Sequence, residues 1–263
     1  MARIVAIVNQ KGGVGKTTTC VNLSAAISKI GKKVLAVDCD PQGNLTSGFG
    51  IDKKSLTRTI YDVLIGSCSA EEAVIKNKFE NLSVLPANVN LAGAEIELVS
   101  MIARELRLKD ALEKIKVEYD YIFIDCPPSL GLLTLNALVA ADSVIIPIQC
   151  EYYALEGLSQ LSNTISLVRK HLNKRLEIDG VVLTMFDSRT NLSLEVVEEV
   201  KSFFGQKVFF SVIPRNVRLS EAPSFGLPGI IYDPDSKGAK AYIELAEEYI
   251  NRIENSLSRG ANK

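Results

Sequence analysis

The segment Lys11-Gly12-Gly13-Val14-Gly15-Lys16-Thr17-Thr18 follows directly on the apolar run Ile4-Val5-Ala6-Ile7-Val8. It opens a helical period over residues 17–30 that closes at Gly31. A buried strand, a glycine-rich turn and a helix, in that order, restrict the fold more than any other feature of the chain. Glycines let successive backbone N–H groups converge on an anion, and the helix N-terminus adds a favourable dipole. Lys16 is spaced to reach the β- and γ-phosphates of a nucleotide, and the Thr17 hydroxyl to bind Mg²⁺. The loop departs from the usual G-x-x-x-x-G-K-[ST], because Gln10 stands at the first glycine and a second lysine, Lys11, enters instead. The plain alternative is a glycine turn with a chance lysine; the flanking strand and helix argue against it.

The remaining chain repeats the alternation. Short apolar runs at residues 34–37, 82–85, 121–124, 144–148, 180–184 and 208–213 predict further strands, about seven with the first. Helical periods cover 104–117, 157–171 and 194–204, and Ser69-Ala70-Glu71-Glu72 has capping-box spacing. Continuous apolar strands between helices predict an α/β fold: a doubly wound, mostly parallel sheet with helices on both faces. No linker or repeat interrupts the pattern, so residues 1–257 are expected to form one domain, with 258–263 a frayed tail.

Of 263 residues, 47% are apolar and 23% charged, which excludes wholesale disorder, and the formal net charge of −1 excludes nucleic-acid binding through overall charge. No signal-peptide run and no stretch of about 18 apolar residues occurs, so a cytoplasmic protein without a transmembrane helix is expected. Cys20, Cys39, Cys68, Cys126 and Cys150 are odd in number and lack C-x-x-C spacing. They read as reduced core residues rather than disulfides or zinc ligands.

Acidic residues end two of the strands. Asp125 closes the run Tyr121-Ile122-Phe123-Ile124, where a carboxylate can hold a metal-bound water, and Asp38 and Asp40 follow the second strand. Ligands of open α/β sheets sit beyond the carboxyl ends of the strands. Any one such Asp can be a cap or turn residue; beside a phosphate loop, Asp40 and Asp125 mark a phosphoryl-transfer site, while Asp38 stays open. Lys16, Lys11 and Mg²⁺ would supply positive charge, Asp40 would position water, and no strong base is evident, so slow hydrolysis is expected.

These motifs resemble the ParA/MinD group of P-loop ATPases. The loop from Lys11 to Thr17 is similar to their deviant Walker A motif, Asp38-Cys39-Asp40-Pro41-Gln42-Gly43-Asn44 to the second acidic motif, and Asp125-Cys126-Pro127-Pro128-Ser129 to Walker B. Glu151-Tyr152-Tyr153-Ala154-Leu155-Glu156-Gly157 and the segment from Ile213 to Ser224 resemble chromosomal ParA, called Soj in some bacteria. The resemblance implies ATP and Mg²⁺ as cofactors, bound by Lys11, Gly12, Gly13, Val14, Gly15, Lys16, Thr17 and Thr18. It implies Thr17 and, through water, Asp125 on the metal side, and Pro214 and Asn216 cradling adenine. Lys11, Lys16 and Asp40 would be catalytic, with Asp40 orienting the attacking water. Lys11 would cross to the partner's ATP in an ATP-dependent sandwich homodimer, with Gly12 where the two backbones approach closely.

The same resemblance implies a chromosome-partitioning ATPase at the nucleoid. The dimer would hold non-specific double-stranded DNA, and a ParB-like centromere-binding protein would stimulate hydrolysis and release it. Between Arg169 and Arg218 nine Lys/Arg face six Asp/Glu, an excess that composition alone reads as solvated charge. The resemblance assigns DNA contact to Arg189 and Arg218 but not to Lys237 and Lys240. A DNA-reading domain ahead of the phosphate loop, as in the longer plasmid type, is not expected.

Two other readings are weaker. A MinD-like membrane ATPase would need a basic amphipathic C-terminal helix. Here the stripe Tyr242, Leu245, Tyr249, Ile253 and Leu257 is opposed by Glu244, Glu247, Glu248 and Glu254, so docking on the protein body is expected instead. An iron–sulfur reductase relative would need paired cysteine ligands, and Cys126 stands alone. His171, the single histidine, falls at a helix end, where capping is the ordinary role.

Overall fold

A computed structural model describes residues 2–151 and 158–261. Its sheet has seven strands: β1 (Arg3–Ile7), β2 (Val34–Asp38), β3 (Ile75–Lys76), β4 (Leu82–Leu85), β5 (Tyr121–Asp125), β6 (Ser143–Gln149) and β7 (Glu177–Thr184). They lie in the order β3-β4-β2-β5-β1-β6-β7, all parallel except the edge pair β3–β4. The doubly wound, mostly parallel sheet expected from the sequence is present.

Strand alternation divides the core between two faces. Ile4, Ala6 and Val8 pack on one side with Leu108, Leu112, Leu133 and Leu138; Val5 and Ile7 pack on the other with Leu23, Ile27, Tyr242 and Tyr249. Each face is therefore sealed by helices, as a parallel sheet requires. The helix Lys16–Lys29 packs against the last helix, Lys237–Ala261. Tyr242, Leu245, Tyr249 and Ile253 of that last helix are buried, so these four residues of the stripe dock on the body as expected; the Leu257 side chain lies outside the described residues. The helix continues past residue 257, where its sequence period ends.

Two expectations need correction. Residues 208–213 form no strand. Phe209 N–H and Ile213 N–H do donate to Val181 and Leu183 of β7, but between them Phe210 N–H and Ser211 N–H donate to the Glu248 carboxylate at 2.8 Å each. A side chain of the last helix thus takes the bonds that would have continued a ladder. The seventh strand is instead the two-residue β3, too short to read from alternation. Cys20, Cys39, Cys126 and Cys150 are buried free thiols, but Cys68 is half-exposed and only borders the core. The capping box at Ser69 and Glu72 is present.

Candidate functional site

The phosphate loop leaves the C-terminal end of β1, where β1 is flanked by β5 and β6. Gly13 and Gly15 take left-handed φ values of +76° and +88°, which a side chain would strain. Gly15 is the N-cap of the helix Lys16–Lys29. Three side-chain bonds brace the loop from outside. Asn9 Nδ2 donates to the Pro147 carbonyl at 2.8 Å, and Asn9 Oδ1 accepts from Lys11 N–H at 3.0 Å. Thr184 Oγ1 donates to the Val14 carbonyl at 2.8 Å. Gly12 and Gly13 remain exposed at the mouth. Lys16 is buried, its Nζ on the Lys11 carbonyl at 2.9 Å, and burial lowers its pKa while Asp125 opposes that shift.

The acidic strand ends lie side by side. Ile7 pairs with Asp125 and Asp38 pairs with Asp125 in register. Asp38 Oδ2 accepts from Thr46 N–H at 2.8 Å and from Thr46 Oγ1 at 2.6 Å, and Asp38 Oδ1 from Asp40 N–H at 3.3 Å. Its carboxyl, pushed up to about 6 by burial, braces the 39–46 loop through these bonds. Asp40 is buried at the start of that loop, with Oδ1 accepting from Gln42 N–H at 2.9 Å.

Asp125 differs. It is fully buried, neither carboxylate oxygen completes a well-formed hydrogen bond, and the Thr17 hydroxyl is the one donor in reach. Burial first, then the Asp38 carboxylate, drive its pKa well up; Thr17 and Lys16 act in the opposite sense. A buried carboxylate with so little hydrogen bonding calls for a partner the chain does not supply. Among the described residues no three acidic, His or Cys side chains form a metal cage. One under-bonded carboxylate beside one hydroxyl suits a hard cation that takes its other ligands from phosphate and water.

The loop after Ile213 reaches this end of the sheet. Phe186 N–H donates to the Ile213 carbonyl and Arg215 N–H to the Phe186 carbonyl, each at 3.1 Å. Pro214 is half-buried there, and Asn216 Oδ1 caps the short helix Val217–Glu221 by accepting from Leu219 N–H at 3.2 Å. Leu219, Ala222 and Pro223 close a small cavity with Thr17, Thr18 and Asn22, so the loop lies over the first turns of the phosphate-loop helix.

Lys11, Lys16, Thr17, Asp40 and Asp125 thus gather at one end of the sheet. Arg189, in an exposed loop, and Arg218, on the short helix Val217–Glu221, are each already held by acidic groups. Lys237 opens the last helix, and Lys240 pairs with Asp235 at 3.5 Å. The motif that begins at Glu151 lies outside the described residues from Tyr152 to Gly157. Sequence reasoning missed Asn9 and Thr184. A polar residue ending an apolar run was the available signal for both.

A glycine turn on a helix N-terminus, beside strand-end carboxylates of a doubly wound sheet, defines a phosphate-loop nucleotide-binding protein. A family profile described as an AAA domain matches residues 2–178. Sporulation initiation inhibitor protein Soj of Bacillus subtilis is 63% identical over 248 residues, covering 94% of this chain and 98% of that protein. Chromosome partitioning protein ParA of Myxococcus xanthus is 56% identical over 252 residues, covering 96% and 89%. Among solved structures, cobyrinic acid a,c-diamide synthase from Mycobacterium smegmatis with bound ADP and magnesium has a TM-score of 0.86 at 40% identity, covering 97% of each chain. The chain belongs to the ParA/MinD superfamily of P-loop ATPases, in its chromosomal ParA (Soj) branch.

Proposed function

We propose that this protein hydrolyses ATP and partitions chromosomes through an ATP-dependent dimer that holds non-specific DNA. The observation that carries the nucleotide half is the buried, under-bonded Asp125 carboxylate facing Lys16 and Thr17 beneath an open phosphate loop. Mg²⁺, when bound with ATP, would neutralise phosphate charge and order a water against Asp125. Thr17 would contribute its hydroxyl. Lys16 would exchange the Lys11 carbonyl for phosphate oxygens, its buried ammonium gaining the partner that burial demands. Asp40, fixed by the turn that Asp38 braces, would orient the attacking water. With no stronger base at hand, intrinsic turnover would be slow.

Lys11 and Gly12, at the exposed mouth of the loop, would meet the partner subunit across the nucleotide. Pro214 and Asn216 would cradle adenine; the Asn216 amide nitrogen stays available, because its oxygen serves as the cap. Arg189 and Arg218 would hold phosphates without reading bases. Dimerisation doubles such contacts, so retention on DNA follows nucleotide state by avidity. A ParB-like protein would trigger hydrolysis and return monomers to the cytoplasm. The named functions of the Soj and ParA relatives support this reading.

Binding to a random-sequence duplex, measured with ATP, ADP and no nucleotide across a salt series, tests it. Salt-sensitive binding in ATP alone, absent in Lys16→Ala, is the expected outcome. Anionic vesicles run in parallel address the MinD-like alternative. Vesicle binding without DNA binding would replace the partitioning reading with that one.

A further inference from the structure

The Phe186–Pro214 bridge holds the 186–190 loop against the 213–216 segment, the short helix Val217–Glu221 follows directly, and this joined region carries three exposed arginines. Arg189, Arg215 and Arg218 all stand more than half exposed on it. None is a free cation. Arg189 binds Asp187 through two parallel bonds, Nε to Oδ1 at 2.8 Å and Nη2 to Oδ2 at 2.7 Å. Arg215 Nη2 donates to Glu151 Oε1 at 3.3 Å and stands within electrostatic reach of Asp187. Arg218 Nη1 donates to Glu221 Oε2 at 2.9 Å, and its Nε lies 3.3 Å from Asp233 Oδ2. Three guanidinium groups are therefore engaged by four carboxylates, and the charge each would offer DNA is already matched within the chain.

From this we propose that Arg215 joins Arg189 and Arg218 in a single phosphate-binding patch, and that Asp187 is its built-in competitor. The inference rests on the DNA-binding reading above. A DNA phosphate and the Asp187 carboxylate seek the same fork of Arg189, and an exposed pair yields to a phosphate at little cost. The intramolecular anions hold one copy of the patch too weak to bind alone. Two copies joined in a dimer bring enough guanidinium groups to displace them. The carboxylates thus set how strongly DNA retention depends on dimerisation.

Asp187→Asn is the informative variant. Asp187 Oδ1 also accepts the Arg189 backbone N–H at 3.0 Å, and an Asn side chain keeps that turn while losing the charge. Binding of the full-length protein to a fluorescent random duplex is read by anisotropy in ATP and in ADP over a salt series. D187N should bind roughly two- to fivefold tighter than wild type, the range an exposed ion pair spans, with measurable binding appearing in ADP. R215A should weaken binding and lower the slope of log Kobs against log salt by about 0.9. Glu113→Gln removes an exposed carboxylate from the helix Arg107–Ile115, which packs on Ile60–Ile65 and Leu132–Ala140, and should leave binding unchanged. An equal gain from E113Q, or no gain from D187N while wild type binds, overturns the proposal alone. No binding by either wild type or D187N overturns the DNA reading and this proposal with it.

Discussion

Thr184 ends β7, two strands away from β1, yet its hydroxyl fixes the carbonyl of Val14 within the phosphate loop. Both residues are buried, so no water replaces that bond if it is lost. Thr184→Val keeps the shape and leaves a buried carbonyl without a donor, at a cost of about 1–3 kcal/mol. Part of that cost falls on the loop's phosphate-ready conformation. ATP affinity should drop roughly fivefold, equivalent to about 1 kcal/mol, with the circular dichroism of the folded protein retained. Unchanged affinity by calorimetry would show that Asn9 and the glycine turns hold the loop unaided. The two kinds of residue also differ in how readily they are read. Lys16 and Thr17 announce themselves because their chemistry depends on neighbours within one turn. Thr184 acts on a residue 170 positions away, and a threonine after Val-Val-Leu looks like any strand end. Asp125 was legible as a strand-end acid, but its full burial beside the Asp38 carboxylate appears only once the fold packs β2 and β5 together.

Elements separate in the same way. The central strands were legible because burial on both faces demands unbroken apolar runs. Residues 208–213 carry such a run and are no strand, since the decisive partner, Glu248, comes from a helix 37 residues beyond Ser211. The far end of the sheet shows how elements are tied to one another. Asp179 of β7 accepts from Arg3 of β1 at 3.1 Å, Ser143 of β6 at 2.6 Å and Tyr249 of the last helix at 3.1 Å. One carboxylate joins three strands and a helix, away from the nucleotide end. Asp179→Asn leaves the mostly covered Arg3 guanidinium without its counter-charge and turns one acceptor into a donor. The penalty for a half-broken buried pair, reduced for the partial exposure of Arg3, is about 2–3 kcal/mol. The urea midpoint should fall accordingly while ATP affinity in the folded range stays unchanged. A midpoint within error of wild type would mean that apolar packing of the last helix carries this junction.

At the scale of the whole molecule, a net charge of −1 and arginines matched by carboxylates leave a single copy poorly equipped to hold DNA. On the partitioning function proposed above, retention on DNA would have to come from assembly, and Gly12 is the position at which assembly could be separated from nucleotide binding. Its backbone is not left-handed, and a Cβ there would meet only Pro128 Cβ, at 3.9 Å. Nothing within the subunit requires glycine, whereas Gly13 and Gly15 need it for their backbone conformation. A branched side chain at Gly12 would instead project from the exposed mouth, toward whatever closes over the nucleotide. Gly12→Val should therefore fold and bind ATP within about twofold of wild type, about 0.4 kcal/mol. Light scattering should find it monomeric in ATP, and its DNA binding should fall to the ADP level of wild type. A G12V protein that dimerises in ATP would move the subunit contact away from the phosphate loop. One that stays monomeric but holds DNA as wild type does would break the link between assembly and retention.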